Sequence, residues 1–179
     1  LYDGSGRSVS LSSNGSRVAI GATGNDGNGN NSGHVRVFEY DGSSWTQLGV
    51  DIDGEAEGDY SGKSVSLSSD GSKVAIGAAV NDGNGSNAGH VRIYAYNGNS
   101  WAQLGSDIDG EAVDEYSGTS VSLSSDGSRV AIGAPYNDAN GTDAGHVRIY
   151  EYSGGDWNQL GGDIDGESHN FYLGQSVSL

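Results

Sequence analysis

The string SVSLSS stands at Ser8–Ser13, Ser64–Ser69 and Ser120–Ser125, and its first four residues stand again at Ser176–Leu179. The interval is the same each time, with no slippage from Ser8 to Ser64, Ser120 and Ser176. GHVR keeps the same period at His34, His90 and His146, and Trp recurs at Trp45, Trp101 and Trp157. Residues 8–63 and 64–119 are identical at 39 of 56 positions. A period of this length is one supersecondary unit repeated, a propeller blade or a solenoid coil. Any site should occur once per repeat or be built between repeats.

The period divides the chain. Residues 1–7 end a preceding repeat, residues 8–63, 64–119 and 120–175 are three whole repeats, and residues 176–179 open a fourth. The expectation is a fragment of a longer array. Gly contributes 32 of 179 residues, and Asn, Asp and Ser are abundant. Strict periodicity and alternating apolar positions separate this chain from a disordered one. There is no Cys, hence no disulfide framework and no thiol–zinc site.

Within one repeat, Ser64–Ser69 alternates, with Val65 and Leu67 on one face. Asp70-Gly71 is a two-residue hairpin signal. Lys73–Ala78 is the second strand, with Val74 and Ile76 on one face and Ala75 and Gly77 on the other. Those small residues would let a neighbouring sheet come close. His90–Tyr96 is a third strand, rich in β-branched and aromatic residues, and Trp101–Ile108 a fourth. No segment shows a helical period. The fold class is all-β: tandem four-stranded antiparallel blades, one to each period, as a β-propeller or an open propeller-like array. A solenoid is the rival, but its coils are usually shorter and carry no Asp-Gly hairpin. Three blades alone are fewer than the roughly four that the smallest propellers use.

VAIGAP at Val130–Pro135, a Gly/Asn/Asp loop, and AGHVRIYEY at Ala144–Tyr152 together resemble the FG-GAP repeat of integrin α-chain heads and many secreted or surface proteins. VAIGA also stands at Val18–Ala22 and Val74–Ala78, so the resemblance runs through every repeat. It implies a propeller, seven-bladed in typical members, in an extracellular or cell-surface setting. The family's calcium loop, of the DxDxDG type, has no counterpart here. Its place holds SSNGS (Ser12–Ser16) or SSDGS (Ser68–Ser72, Ser124–Ser128). One carboxylate cannot supply the six to eight oxygens that calcium takes.

No cofactor is expected. Calcium remains a candidate only at the acidic linkers. Asp51, Asp53, Glu55 and Asp59 stand at calcium-loop offsets 1, 3, 5 and 9, although the glycine is misplaced. Asp107, Asp109 and Glu111 repeat the pattern. The competing reading is a polar strand end and turn. The NDGNG loops (Asn25–Gly29, Asn81–Gly85) and NDANG (Asn137–Gly141) offer oxygens for a cation or sugar, or equally Asx-turns that hold the loop. His34, His90 and His146 share a strand face with the Arg two residues on. The expected role is a hydrogen bond tying the strand start to the preceding loop. The tryptophans are expected to fill gaps between blades. Asn14, Asn30, Asn84 and Asn140 head N-x-S/T sequons and are glycosylation candidates.

A net charge of −16 makes nucleic acid and anionic membranes poor partners, and no apolar stretch is long enough for a transmembrane helix. Polar groups recur with the repeat and do not gather at one place, so no enzyme is expected. Two functions stand. One is an extracellular adhesion or binding module that displays polar loops to a protein or carbohydrate ligand. The other is a structural subunit of a filament, sheath or appendage, whose partners are neighbouring repeats or copies of itself.

Overall fold

The computed structural model describes residues 3–179 and contains strands, turns and no helix among them. The first blade comprises β1 (Ser5–Leu11), β2 (Arg17–Ala22), β3 (His34–Tyr40), β4 (Trp45–Gln47) and β5 (Ile52–Asp53). The second comprises β6 (Ser64–Leu67), β7 (Lys73–Ala78), β8 (His90–Tyr96), β9 (Trp101–Gln103) and β10 (Ile108–Asp109). The third comprises β11 (Ser120–Leu123), β12 (Arg129–Ala134), β13 (His146–Ser153), β14 (Asp156–Gln159) and β15 (Ile164–Asp165). All pairings between these strands are antiparallel and, apart from the short β5, β10 and β15, which pair with β3, β8 and β13, they join consecutive strands, the propeller-blade meander.

The fourth predicted strand is one edge position broken in two. β9 and β10 both pair with β8. Gln103 opposes Tyr94 and Ile108 opposes Val91, so five steps on one strand meet three on its partner. Two extra residues bulge out, beginning at Gly105 with φ +77°. The hairpin also departs from expectation. Asp70-Gly71 sits inside a wider connection, closed by Ser68 N–H donating to the Lys73 carbonyl at 3.0 Å.

The middle blade buries both faces against its neighbours. Val74, Ile76 and Leu67 are buried, and with Val65 they pack on Ala19, Val35, Val37 and Ile52 of the first blade. On the opposite face Ala75, Val91 and Ile93 pack on Val121, Leu123, Val130 and Ile132 of the third. Of the four residues expected to be buried together, Leu67, Val74 and Ile76 are buried in one cluster and Val65 packs against it partly buried. The small face also does what its composition foretold. A methyl group on Gly77 would overlap the Gly118 carbonyl oxygen, so the backbone of the following linker lies directly on β7.

The SSDGS hairpin shows why a lone carboxylate stands there. Asp70 Oδ1 accepts from Ser72 N–H (2.9 Å), Ser72 Oγ (2.8 Å) and Ser68 Oγ (2.7 Å). This is an Asx-turn, and an oxygen already holding three donors does not fit calcium. The Ser72 N–H bond leads in holding the Asp70 carboxyl below its usual range. Asn14 makes the same turn with its amide oxygen. Asp70→Asn should accordingly change stability at pH 7 by less than about 0.5 kcal/mol. A carboxyl depressed in the folded state stabilises above the unfolded value of 3.8 and loses that contribution as pH falls through the folded value. Urea titrations from pH 5 to pH 2 should show a shallower acid loss in Asp70→Asn than in the parent. Parallel curves would contradict this.

Candidate functional site

The β7–β8 loop and the linker that follows β10 meet at one end of the blades. Gly89 bridges to Ser117, and Tyr116 and Ser117 N–H groups donate to the Asn87 and Ala88 carbonyls at 3.1 and 2.9 Å. The other two repeats make the same bridge, at Gly33–Ser61 and Gly145–Leu173. The NDGNG side chains are spent on this scaffold. Asn81 Oδ1 accepts from Gly83 N–H and Asp82 Oδ1 from Asn87 N–H, both at 2.8 Å. Of the two readings of that loop, the Asx-turn is the one realised.

A groove of about 760 Å³ opens between these loops across all three blades. Its lining is unusual for so regular a chain. Thirty-four of the 56 repeat positions are identical in all three copies. Of the twelve residues that line the groove, only Tyr60 and Tyr116 come from such a position. Val80 and Tyr136 replace Gly24 of the first repeat, and Lys63, Thr119 and Gln175 replace one another.

The constant tyrosines are held in an unfavourable backbone state. Tyr60, Tyr116 and Tyr172 have φ of 51°, 56° and 53°, the left-handed region that bulky residues rarely adopt. Tyr116 meets the Tyr136 ring edge-on at 5.2 Å, and Tyr136 meets Tyr172 at 5.6 Å. Lys63 and Arg7 also line the groove, and neither forms an ion pair among the described residues. Burial first, then repulsion from Arg7, pushes the Lys63 ammonium below the usual lysine range. Asp114 and Asp143 add carboxylates. The groove thus combines ring faces and edges, unpaired cations and hydrogen-bonding groups.

The four linker carboxylates read as a calcium loop do not converge. Asp51 and Asp53 stay near His34 of their own blade. Glu55 reaches the next blade, where it pairs with Arg92 at 3.1 Å. Asp59 is buried and accepts from the Ala56 N–H. In the second copy Asp107 lies near His90, Glu111 pairs with Arg148 of the next blade, and Asp109 gives its carbonyl to Arg148. The chain is extended at β5 and β10 and then crosses to the next blade, which scatters a spacing that is regular only along the chain.

The histidines do not make the expected hydrogen bond to the preceding loop. Among the described residues, His34 Nε2 and both ring nitrogens of His146 are buried without a partner. Trp101 and Trp157 sit between blades, donating to the Leu48 and Leu104 carbonyls at 2.7 Å. Trp45 is 46% exposed, because no blade of the described residues covers that face. Among the sequons, Asn14, Asn30, Asn84 and Asn140 are all exposed. The amide nitrogens of Asn84 and Asn140 donate to the Gly110 and Gly166 carbonyls at 2.7 Å, so a glycan there would cost a loop-to-linker bond.

Comparison with known proteins agrees with this architecture. The FG-GAP repeat profile matches residues 106–150. No curated protein matches the sequence. Among solved structures, Sqt1 of Saccharomyces cerevisiae superposes with a TM-score of 0.57 at 16% identity, over 94% of this chain and 37% of its own. A candidate 6-phosphogluconolactonase of Bacteroides uniformis gives 0.57 at 17% identity, over 88% and 39%. Hydrazine synthase of Kuenenia stuttgartiensis gives 0.53 at 12% identity, over 93% and 38%. The chain spans less than two fifths of the length of each of these proteins, and at such identities the likeness is one of fold alone. No helix among the described residues is long and apolar enough to cross a membrane. FG-GAP repeats are typical of extracellular or surface proteins, and residues 106–150 are similar to that repeat, within a unit that recurs along the chain at a constant period.

Proposed function

We propose that the chain is a non-catalytic binding module, displayed outside the cell or on its surface, and that the groove takes a hydroxyl-rich ligand bearing an acidic group, such as an acidic polysaccharide. The observation that carries this reading is the concentration of repeat-to-repeat differences in one groove. Architecture needs the same residue in every blade, whereas a recognition surface needs different ones. Aromatic rings offer apolar faces to sugar rings, and Lys63 with Arg7 offers charge-assisted bonds to a carboxylate or sulfate. Strain at Tyr60 and Tyr116, which line the groove, supports the same place, since unfavourable backbone states persist where function holds them.

Titration of tyrosine fluorescence with acidic and neutral oligosaccharides tests the proposal. Lys63→Ala should weaken an acidic ligand about tenfold, the order expected for one charge-assisted bond, and leave a neutral one unchanged. Tyr116→Gly should separate fold from function. Relief of the left-handed backbone returns about 1–2 kcal/mol, and loss of the Tyr136 contact removes about 0.5–1.5 kcal/mol. Stability should therefore hold within about 1 kcal/mol while binding falls. Binding that is indifferent to both variants would exclude the groove.

A second reading, a structural subunit of an extracellular array, draws on one observation. Val9, Leu11 and Trp45 are 57%, 58% and 46% exposed, although their counterparts Val65, Leu67 and Trp101 help form an inter-blade core. Sedimentation of the same variants separates the readings. A groove variant that loses ligand but keeps its sedimentation behaviour supports the binding module; one that dissolves an assembly supports the array.

A further inference from the structure

A second cluster lies away from the groove, at the junctions between blades. His90 begins β8, Asp107 lies on the bulge before β10, and Glu55 comes from the linker of the preceding blade. Glu111, His146 and Asp163 form the same junction one period later. One ligand atom of each residue lies within 4.8 Å of the others. The first blade has His34 with Asp51 and Asp53 but no linker glutamate among these residues.

We propose that Glu55/His90/Asp107 and Glu111/His146/Asp163 are binding sites for a divalent transition-metal ion that joins adjacent blades. Three observations carry it. First, His146 is fully buried, and neither ring nitrogen has a hydrogen-bond partner among the described residues. A buried imidazole without partners is costly unless something else takes its lone pair. Second, the spacing is wrong for hydrogen bonds and near that of ligands around an ion. His90 Nδ1 lies 3.7 Å from Asp107 Oδ2 and 3.9 Å from Glu55 Oε2, and His146 Nδ1 lies 3.9 Å from Asp163 Oδ2. Hydrogen bonds donated by nitrogen reach only to about 3.2 Å. Two ligands at about 2.0–2.1 Å from a tetrahedral ion stand about 3.3 Å apart, so these pairs would close by about 0.4–0.6 Å and the other pairs of each triad, all within 4.8 Å, by up to about 1.5 Å.

Third, the donor set and its surroundings suit such an ion. One imidazole and two carboxylates fit zinc-like metals better than calcium, which takes oxygens. Glu55 can serve two partners, since Oε1 holds Arg92 at 3.1 Å while Oε2 faces His90. Its side chain is 46% exposed and that of Glu111 50%, which leaves water access for entry and for a fourth ligand.

Cobalt(II) is the probe, because its visible bands report the coordination geometry. The wild-type chain should bind two Co2+ per molecule in a saturable titration, with Zn2+ displacing them. Its thermal midpoint should rise with Zn2+ and return with a chelator. Glu55→Gln/Glu111→Gln changes two half-exposed side chains and should keep the metal-free circular dichroism while weakening Co2+ at least tenfold. His90→Gln/His146→Gln should abolish the visible bands; if that variant fails to fold, the glutamine pair decides alone. The proposal is overturned if wild type shows no saturable Co2+ spectrum. It is overturned equally if the glutamine pair binds Co2+ as well as wild type, which would put the ion on other surface carboxylates.

Discussion

Gly77→Ala should destabilise the array by about 3 kcal/mol, at the upper end of what overpacking usually costs. The added methyl group would overlap the Gly118 carbonyl oxygen and Ser64 Oγ. Neither neighbour can retreat cheaply. Ser64 Oγ donates to the Gly118 carbonyl at 2.8 Å, and the Gly118 N–H donates to the Gly133 carbonyl of the next blade at 3.2 Å. The linker backbone is thus tied on both sides at the point where the methyl group would enter. Gly77 does not occupy the left-handed region, so the cost is steric. Its counterparts Gly21 and Gly133 face Gly62 and Gly174 in the same way, which makes the effect a property of every junction. Gly162→Ala is the matched control: nothing lies within 4 Å of its added methyl group, and its backbone needs no glycine. Equilibrium urea unfolding of the two variants should differ by most of that effect, and equal midpoints would refute the close approach.

The blades were legible because period-2 alternation and a constant repeat interval report directly on strands and repeats. Val65, Leu67, Val74 and Ile76 needed nothing more. The broken edge strand was not legible, for a definite reason. An insertion of two residues preserves side-chain parity, so Leu104 and Ile108 still read as one alternating run. Only Gly105 marked the bulge. The calcium-like spacing of Asp51, Asp53, Glu55 and Asp59 misled because a linear offset means ligand geometry only when the backbone curls into a loop. Here the chain is extended at Ile52 and then crosses to another blade. The inter-blade cluster was hidden for the opposite reason: Glu55, His90 and Asp107 are far apart in sequence, and only blade stacking brings them together. The groove lay between these cases. Its variable positions could be read from the aligned repeats, but their convergence in one place depends on the loop and linker meeting at Gly89 and Ser117.

Arg148→Met should be the most damaging charge substitution in the chain, costing about 3–5 kcal/mol. Arg148 is 2% exposed and holds a buried network together. It pairs with Glu111 at 3.0 Å, donates to the Asp109 carbonyl at 2.9 Å, and stands 3.7 Å from Glu115. Glu115 is fully buried, with Asn137 Nδ2 and the Glu111 N–H each donating to it at 2.8 Å. Methionine would fill much of the volume over Tyr150 but leave the Glu115 charge without its cation, the arrangement that low dielectric penalises most. Arg92 makes the same backbone bond, to Asp53, but the linker carboxylate one period before Glu115 is the shorter Asp59, which bonds the Ala56 N–H. Arg92→Met should therefore cost less. Adding Glu115→Gln to Arg148→Met removes the stranded charge and leaves an amide oxygen to accept in its place, so the double variant should regain at least about 1 kcal/mol over the single one, a coupling within the range that contacting residues show. Thermal and urea unfolding of the four chains in that cycle measures it directly. Strictly additive effects would mean that Arg148 supports the blade by packing alone.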